Sequence, residues 1–231
     1  MIGPRWLILR KRNLVLGLLG LLLLILLVWG AARLFSPEPK IIPEQVLADS
    51  LQKTAASRSF RYQVEARTGD GALLSQVAGE VAAPGRIHIK GTMYNSPVEF
   101  VQIGETTYMR DIWTKKWLTL EGNKLAQSDL FITEFKPLSF FNFKDVPVVH
   151  YRGREKLPEG NMLVLECQPL LKNPFFDLRY TTYNCKLWVE PGSYFIRRAV
   201  LDARGPGGKP GLSVTLKLWD FDRPLTINPP V

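Results

Sequence analysis

Phe60-Arg61-Tyr62-Gln63-Val64-Glu65-Ala66-Arg67 alternates apolar with charged or polar side chains without a break. Successive side chains of a strand point to opposite faces. This period of two therefore predicts a strand that lays Phe60, Tyr62, Val64 and Ala66 on a core and leaves Arg61, Gln63, Glu65 and Arg67 in water. Gly69-Asp70-Gly71 supplies a turn, and residues 73–81 predict a second strand. Working outward, the pattern recurs at 86–94, 98–103, 106–112 and 117–120, with Pro, Gly or a short polar group between neighbours, the spacing of antiparallel hairpins. Strands resume at 147–152, 162–168, 182–190, 195–203 and 212–220. The last three are separated by Glu190-Pro191-Gly192-Ser193, with Pro and Gly at type II positions, and by the glycine- and proline-rich 204–211.

Two stretches of this part are not strands. Residues 43–57 predict a helix, since Pro43 suits a first turn, Glu44 complements the helix dipole, and Val46, Leu47, Leu51 and Ala55 share a face. Residues 127–143 carry Leu130, Phe131, Ile132, Phe135, Leu138, Phe140, Phe141 and Phe143 without a period of two, and read as one short helix with an aromatic-rich loop. The fold class is therefore mainly β (α+β). About ten or eleven strands form a large antiparallel sheet that curls at this size, giving a half-open barrel with few covering helices. With two helices to cover the concave side, a gap large enough for a ligand is expected.

Residues 14–32 (LVLGLLGLLLLILLVWGAA) stand apart, because Trp29 holds the only hydrogen-bonding side chain among them. Such a helix is about 28 Å long at about 1.5 Å per residue, close to the roughly 30 Å apolar thickness of a bilayer. Arg5, Arg10, Lys11 and Arg12 precede it with no acidic residue, which orients the N-terminus to the cytoplasm. The expected organisation is a basic cytoplasmic segment (1–13), a transmembrane helix (14–32), a proline-containing linker (33–42) and an exported β domain (43–231). The chain is then a single-pass protein of the cytoplasmic membrane in a bacterial cell envelope. A cleaved signal peptide is the rival reading, with Gly30-Ala31-Ala32 as the small-residue site, although the apolar run exceeds the usual h-region. No Cys follows the run, which excludes lipid attachment at a lipobox.

Composition narrows the function. The apolar share of 46% excludes a disordered tail, and two cysteines exclude a disulfide-scaffold miniprotein or a multi-cysteine metal protein. Removing the five basic residues of positions 1–33 from the 30 Lys and Arg leaves 25 against 21 acidic residues, with signs alternating along the chain. No basic stripe is present, and no nucleic-acid partner is expected. Phosphate-binding glycine loops, Gly-x-Ser-x-Gly elbows and His-Glu-x-x-His are absent, so no catalytic residue, cofactor or metal is assigned and the protein is read as a non-enzyme. His88 and His150 fall on the polar sides of their strands and are too far apart in sequence to suggest a metal site. Cys167 and Cys185, both in strands of an exported domain, are expected to form a disulfide, the alternative being two small apolar core residues. Phe131, Phe135, Phe140, Phe141, Phe175 and Phe176 lie outside the strands. They either plug the sheet's core or line an apolar cavity whose other wall is the sheet, and these two readings are compatible.

The order of elements resembles the LolA/LolB lipoprotein-carrier superfamily, and within it the LppX/LprG-type lipid-binding proteins. The residues that carry the resemblance are 47–67 (LADSLQKTAASRSFRYQVEAR), 79–86 (GEVAAPGR), 100–117 with its IGETTYMR strand, 187–192 (LWVEPG) and 219–230 (WDFDRPLTINPP). The resemblance implies a half-open barrel with helices as a lid over an apolar cavity that takes acyl chains. A helical anchor in place of a lipobox cysteine departs from lipid-anchored members and favours local sensing or handover over a long-range shuttle. The expected function is thus a membrane-anchored extracytoplasmic protein that binds lipid or lipoprotein acyl chains. The alternative is an envelope signalling or assembly module that binds a protein partner through its curved sheet.

Overall fold

A computed structural model of the chain describes residues 11–34, 41–121, 132–172 and 179–230. The chain divides into two units between Lys40 and Ile41. In the first, α1 (Lys11–Leu34) is a 24-residue helix. From Leu18 to Trp29 its large apolar side chains are 55–65% exposed. Among the residues whose side chains are described, no helix is long and apolar enough to cross a membrane. Within α1 these are residues 18–29, about 18 Å of helix, and the expected span over 14–32 extends beyond them at both ends.

The second unit begins with α2 (Pro43–Ala55) and continues through β1 (Ser59–Thr68), β2 (Leu73–Ala82), β3 (Arg86–Met93), β4 (Ser96–Ile103), β5 (Thr106–Arg110) and β6 (Trp117–Leu120). After α3 (Ile132–Phe135) and a 3-10 turn (Pro137–Phe141) come β7 (Phe143–Asp145), β8 (Val149–Leu157), β9 (Gly160–Cys167), β10 (Leu170–Leu171), β11 (Thr182–Val189), β12 (Ile196–Arg204) and β13 (Pro210–Trp219). Eleven strands form one curved sheet, ordered β6-β5-β4-β3-β2-β1-β13-β12-β11-β9-β8, and β7 pairs separately with β10. All pairs are antiparallel, and the sheet is not a closed barrel. The first and last strands meet at its centre, where Val64 lies opposite Leu216 and Tyr62 opposite Leu218.

The period of two decides which face is inner. Phe60, Tyr62, Val64 and Ala66 are all buried, together with Val214, Leu216 and Leu218 of β13 and Leu201 and Ala203 of β12. Over this face α2 lays Val46, Leu47, Ser50 and Thr54. The Ile196 N–H donates to the buried Thr54 hydroxyl at 3.1 Å, tying the helix's last turn to β12. Asp222 secures the following turn, because its carboxylate accepts from the Ser57 hydroxyl at 3.1 Å and the Arg58 N–H at 2.8 Å. On the outer face Ile227 of the C-terminal segment packs with Ala82 and Val101, and its carbonyl accepts from Arg86 at 2.6 Å. The same face has a second apolar cluster, Met162, Val164 and Trp188 on β9 and β11, and ionic pairs, as in Arg61 between Glu80 and Asp220, and Glu99 beside Arg110.

Candidate functional site

The hairpin registers draw two lanes across the inner face from the centre of the sheet to its β6 edge. One runs Tyr62, Gly79, Ile89, Phe100, Met109, Leu118, and its neighbour runs Phe60, Val81, Ile87, Gln102, Thr107, Leu120. Burial falls along the first lane, with Tyr62 at 0%, Ile89 at 1%, Phe100 at 8% and Leu118 at 44% exposed. Leu120, the end of the second, is 38% exposed. The remaining inward positions of β2 to β4, namely Ser75, Val77, Gly91, Met93, Ser96 and Val98, are also uncharged. An uncharged, largely apolar floor is thus sealed at its centre and emerges towards β6.

α3 holds down the sealed end. The Tyr62 hydroxyl donates to the Glu134 carbonyl at 2.5 Å, and the Ser75 hydroxyl donates to the Glu134 carboxylate at 2.7 Å, both out of water. Burial, with the Glu134 charge adding, pushes the Tyr62 hydroxyl's pKa above its ordinary value. Room for that ring comes from Gly79, where a Cβ would lie 2.5 Å from the ring carbon Cζ. α3 also brings Phe135 onto Phe100, with ring centroids 5.1 Å apart.

Of the six phenylalanines expected to form the site, Phe135 and Phe140 are buried in the main core, and Phe141 is half-buried against it. Phe141 packs between Phe140, at 5.2 Å, and Phe143, at 6.3 Å. Phe131, Phe175 and Phe176 lie outside the described residues. The clefts outlined by described residues are elsewhere. One of about 550 Å³ includes His150, Arg152, Glu166, Lys186 and Asp202, and another of about 290 Å³ includes Lys90, Pro97, Glu99, Arg110 and Lys115. No phenylalanine lines either.

The expected disulfide needs correction. Cys167 and Cys185 are free, although β9 and β11 place them directly opposite each other. They are buried in the apolar face with thiols in hydrogen-bonding contact, where they pack as small apolar side chains. That contact holds the Cys167 thiol below its usual pKa and, together with burial, pushes Cys185 well above it. His88 and His150 sit on the outer, polar face, as their alternation predicts, and His88 lies 3.3 Å from Glu99. Among the described residues no cluster of His, Cys, Asp or Glu could hold a metal ion.

Sequence reasoning passed over Tyr62, Ser75, Gln102, Thr107 and Glu134 as parts of this floor. Gln102 and Thr107 did carry a signal, since each is a polar residue at an inward position of its strand. The Tyr62 and Ser75 bonds to Glu134 span 72 and 59 positions, and no local pattern encodes them.

No protein-family model and no curated protein matches the chain. Among solved structures, the lipoprotein LppX of Mycobacterium tuberculosis superposes with a TM-score of 0.56 at 17% identity, covering 80% of this chain and 97% of its own. LprF from Mycobacterium bovis superposes at 0.58 with 18% identity, covering 81% and 96%. A LolA superfamily protein from Nitrosomonas europaea matches more loosely, at a TM-score of 0.36 and 11% identity over 80% and 96%. At these identities the likeness is one of fold, and on the LppX and LprF superpositions the chain has an LppX-like fold, as its sequence resemblance leads one to expect.

Proposed function

We propose that the protein is a membrane-anchored, extracytoplasmic, non-catalytic binding protein that accommodates lipid or lipoprotein acyl chains on the inner face of its sheet. The observation that carries this reading is the uncharged floor that passes from full burial at Tyr62 to exposure at Leu118 and Leu120. An acyl chain laid there loses apolar surface to water at about 25 cal/mol per Å² and meets no charge to desolvate. In this reading Phe141, at the boundary of the core, faces the chain, while Phe135 and Phe140 support the wall. The likeness to LppX supports the fold that such a site requires. The leucine-rich surface of α1 supports the anchor, since apolar side chains this exposed need a lipid or protein partner.

The test is to purify the protein, extract it with organic solvent and analyse the extract by mass spectrometry. Acyl lipid in stoichiometric amount is expected. A lipid-free extract, together with failure to take up a fluorescent fatty-acyl probe, would overturn the proposal in favour of a module that binds a protein partner through the sheet.

A further inference from the structure

The second lane of the inner face contains two polar side chains whose bonding is incomplete. Gln102 on β4 is 8% exposed, Thr107 on β5 is 1% exposed, and the register sets them directly opposite each other. The Gln102 Nε2 donates to the Gly104 carbonyl at 3.0 Å, which fixes the orientation of the amide. Its Oε1 and the Thr107 hydroxyl oxygen are both buried, and neither has a hydrogen-bond partner among the described residues. Buried polar atoms are nearly always satisfied, and leaving two side by side destabilises a fold unless something binds there. Side chains opposite each other on neighbouring antiparallel strands are about 4.5–5.5 Å apart at Cβ, so one small group can reach both.

We infer that Gln102 and Thr107 form a polar clamp within the apolar site, which receives a neutral hydroxyl carried by the acyl ligand. The inference rests on the acyl-chain reading above and specifies the ligand. The free Gln102 oxygen can only accept, whereas the Thr107 hydroxyl can donate. A ligand hydroxyl completes both bonds, donating to Oε1 and accepting from Thr107. A carboxylate or phosphate oxygen would set negative charge against the Gln102 carbonyl oxygen, and the inward positions of β2 to β6 supply no cation to offset it. The hydroxyl can belong to a glycerol or sugar headgroup or to the acyl chain itself.

The experiment uses the full chain in detergent and measures binding by native mass spectrometry with three probes. These are a monoacylglycerol (headgroup hydroxyls), the methyl ester of a mid-chain hydroxy fatty acid (chain hydroxyl) and the unsubstituted methyl ester (no hydroxyl). The wild type is expected to hold one hydroxyl-bearing probe about tenfold more tightly than the plain ester, and which one identifies the source of the hydroxyl. Thr107→Val should abolish that preference, and Thr107→Ser should retain it. Equal binding of all three probes by the wild type, or a preference that survives Thr107→Val, would overturn the clamp while leaving the acyl-chain reading intact. A Thr107→Val variant that melts higher and binds every probe as the wild type does would mean that the pair holds only water. Binding of no probe by the wild type would overturn both readings.

Discussion

Gly79→Ala is expected to destabilise the domain, against the ordinary preference for alanine over glycine in a strand. Where a strand is free to accept a methyl group, this exchange stabilises by about 0.5–1 kcal/mol through the lower entropy of the unfolded chain. At Gly79 the new Cβ would lie 2.5 Å from Cζ, 2.6 Å from Cε1 and 2.6 Å from the hydroxyl oxygen of Tyr62. Ordinary contact needs roughly 3.5–4 Å, so the ring must retreat by about 1 Å. Tyr62 is fully buried, and its hydroxyl is committed to the Glu134 carbonyl at 2.5 Å. Overpacking of this kind costs about 1–3 kcal/mol, and a buried hydroxyl pulled from its acceptor adds about 1–3 kcal/mol. The net expectation is a loss of about 2–5 kcal/mol. Urea unfolding of the domain measures it, and a double-mutant cycle with Tyr62→Leu separates the ring contact from strand propensity. In the Tyr62→Leu background, Gly79→Ala should cost less than about 1 kcal/mol. Wild-type stability or better for Gly79→Ala alone would refute the claim that Gly79 exists to admit the ring.

The phenylalanines separate wall from ligand surface. Phe135→Ala, which empties the buried contact with Phe100, should cost about 3–5 kcal/mol in urea unfolding. Half-buried Phe141→Ala should cost clearly less, and should change uptake of a fluorescent fatty-acyl probe more than it changes folding. Thr54→Val leaves the Ile196 N–H unpaired out of water and should cost about 1–3 kcal/mol, read as a lower unfolding midpoint with unchanged slope. Tyr62 predicts alkaline lability. Its folded pKa is raised, so its contribution is complete below the unfolded value near 10 and is lost as pH rises above that, by up to about 1.4 kcal/mol per pH unit. Tyr62→Phe should flatten that slope, as read from stability curves between pH 8 and 11. Trimmed to residues 41–231, the chain should be soluble and cooperatively folded, since these residues form a unit with its own apolar core. Aggregation of the trimmed protein would show that the domain needs the bilayer or a partner.

The sequence by itself determined the elements and the faces of the sheet. Alternation at 60–67 places Phe60, Tyr62, Val64 and Ala66 inward, and the structure buries all four, because strand geometry turns a period of two directly into sidedness. Pro43 and the spacing of Val46 and Leu47 mark α2 for the same local reason. Hairpin turns order β1 to β6 as a meander, since neighbours in sequence joined by short loops pair in space. The pairing of β1 with β13 joins segments about 150 positions apart, which no local pattern specifies. Nor does one specify the short β7–β10 pair, whose strands of three and two residues carry too few side chains to show a period. Spacing could not tell whether Cys167 and Cys185 are bonded. Register sets them opposite each other, and there they fill an apolar face as free thiols. Composition marked the phenylalanines, but burial separated Phe135 and Phe140 from Phe141. Tyr62, Glu134, Gln102 and Thr107 belong to the site only through tertiary structure. Exclusion from water and a partner on another strand or helix give a polar atom its role there, and both arise only once distant segments have packed.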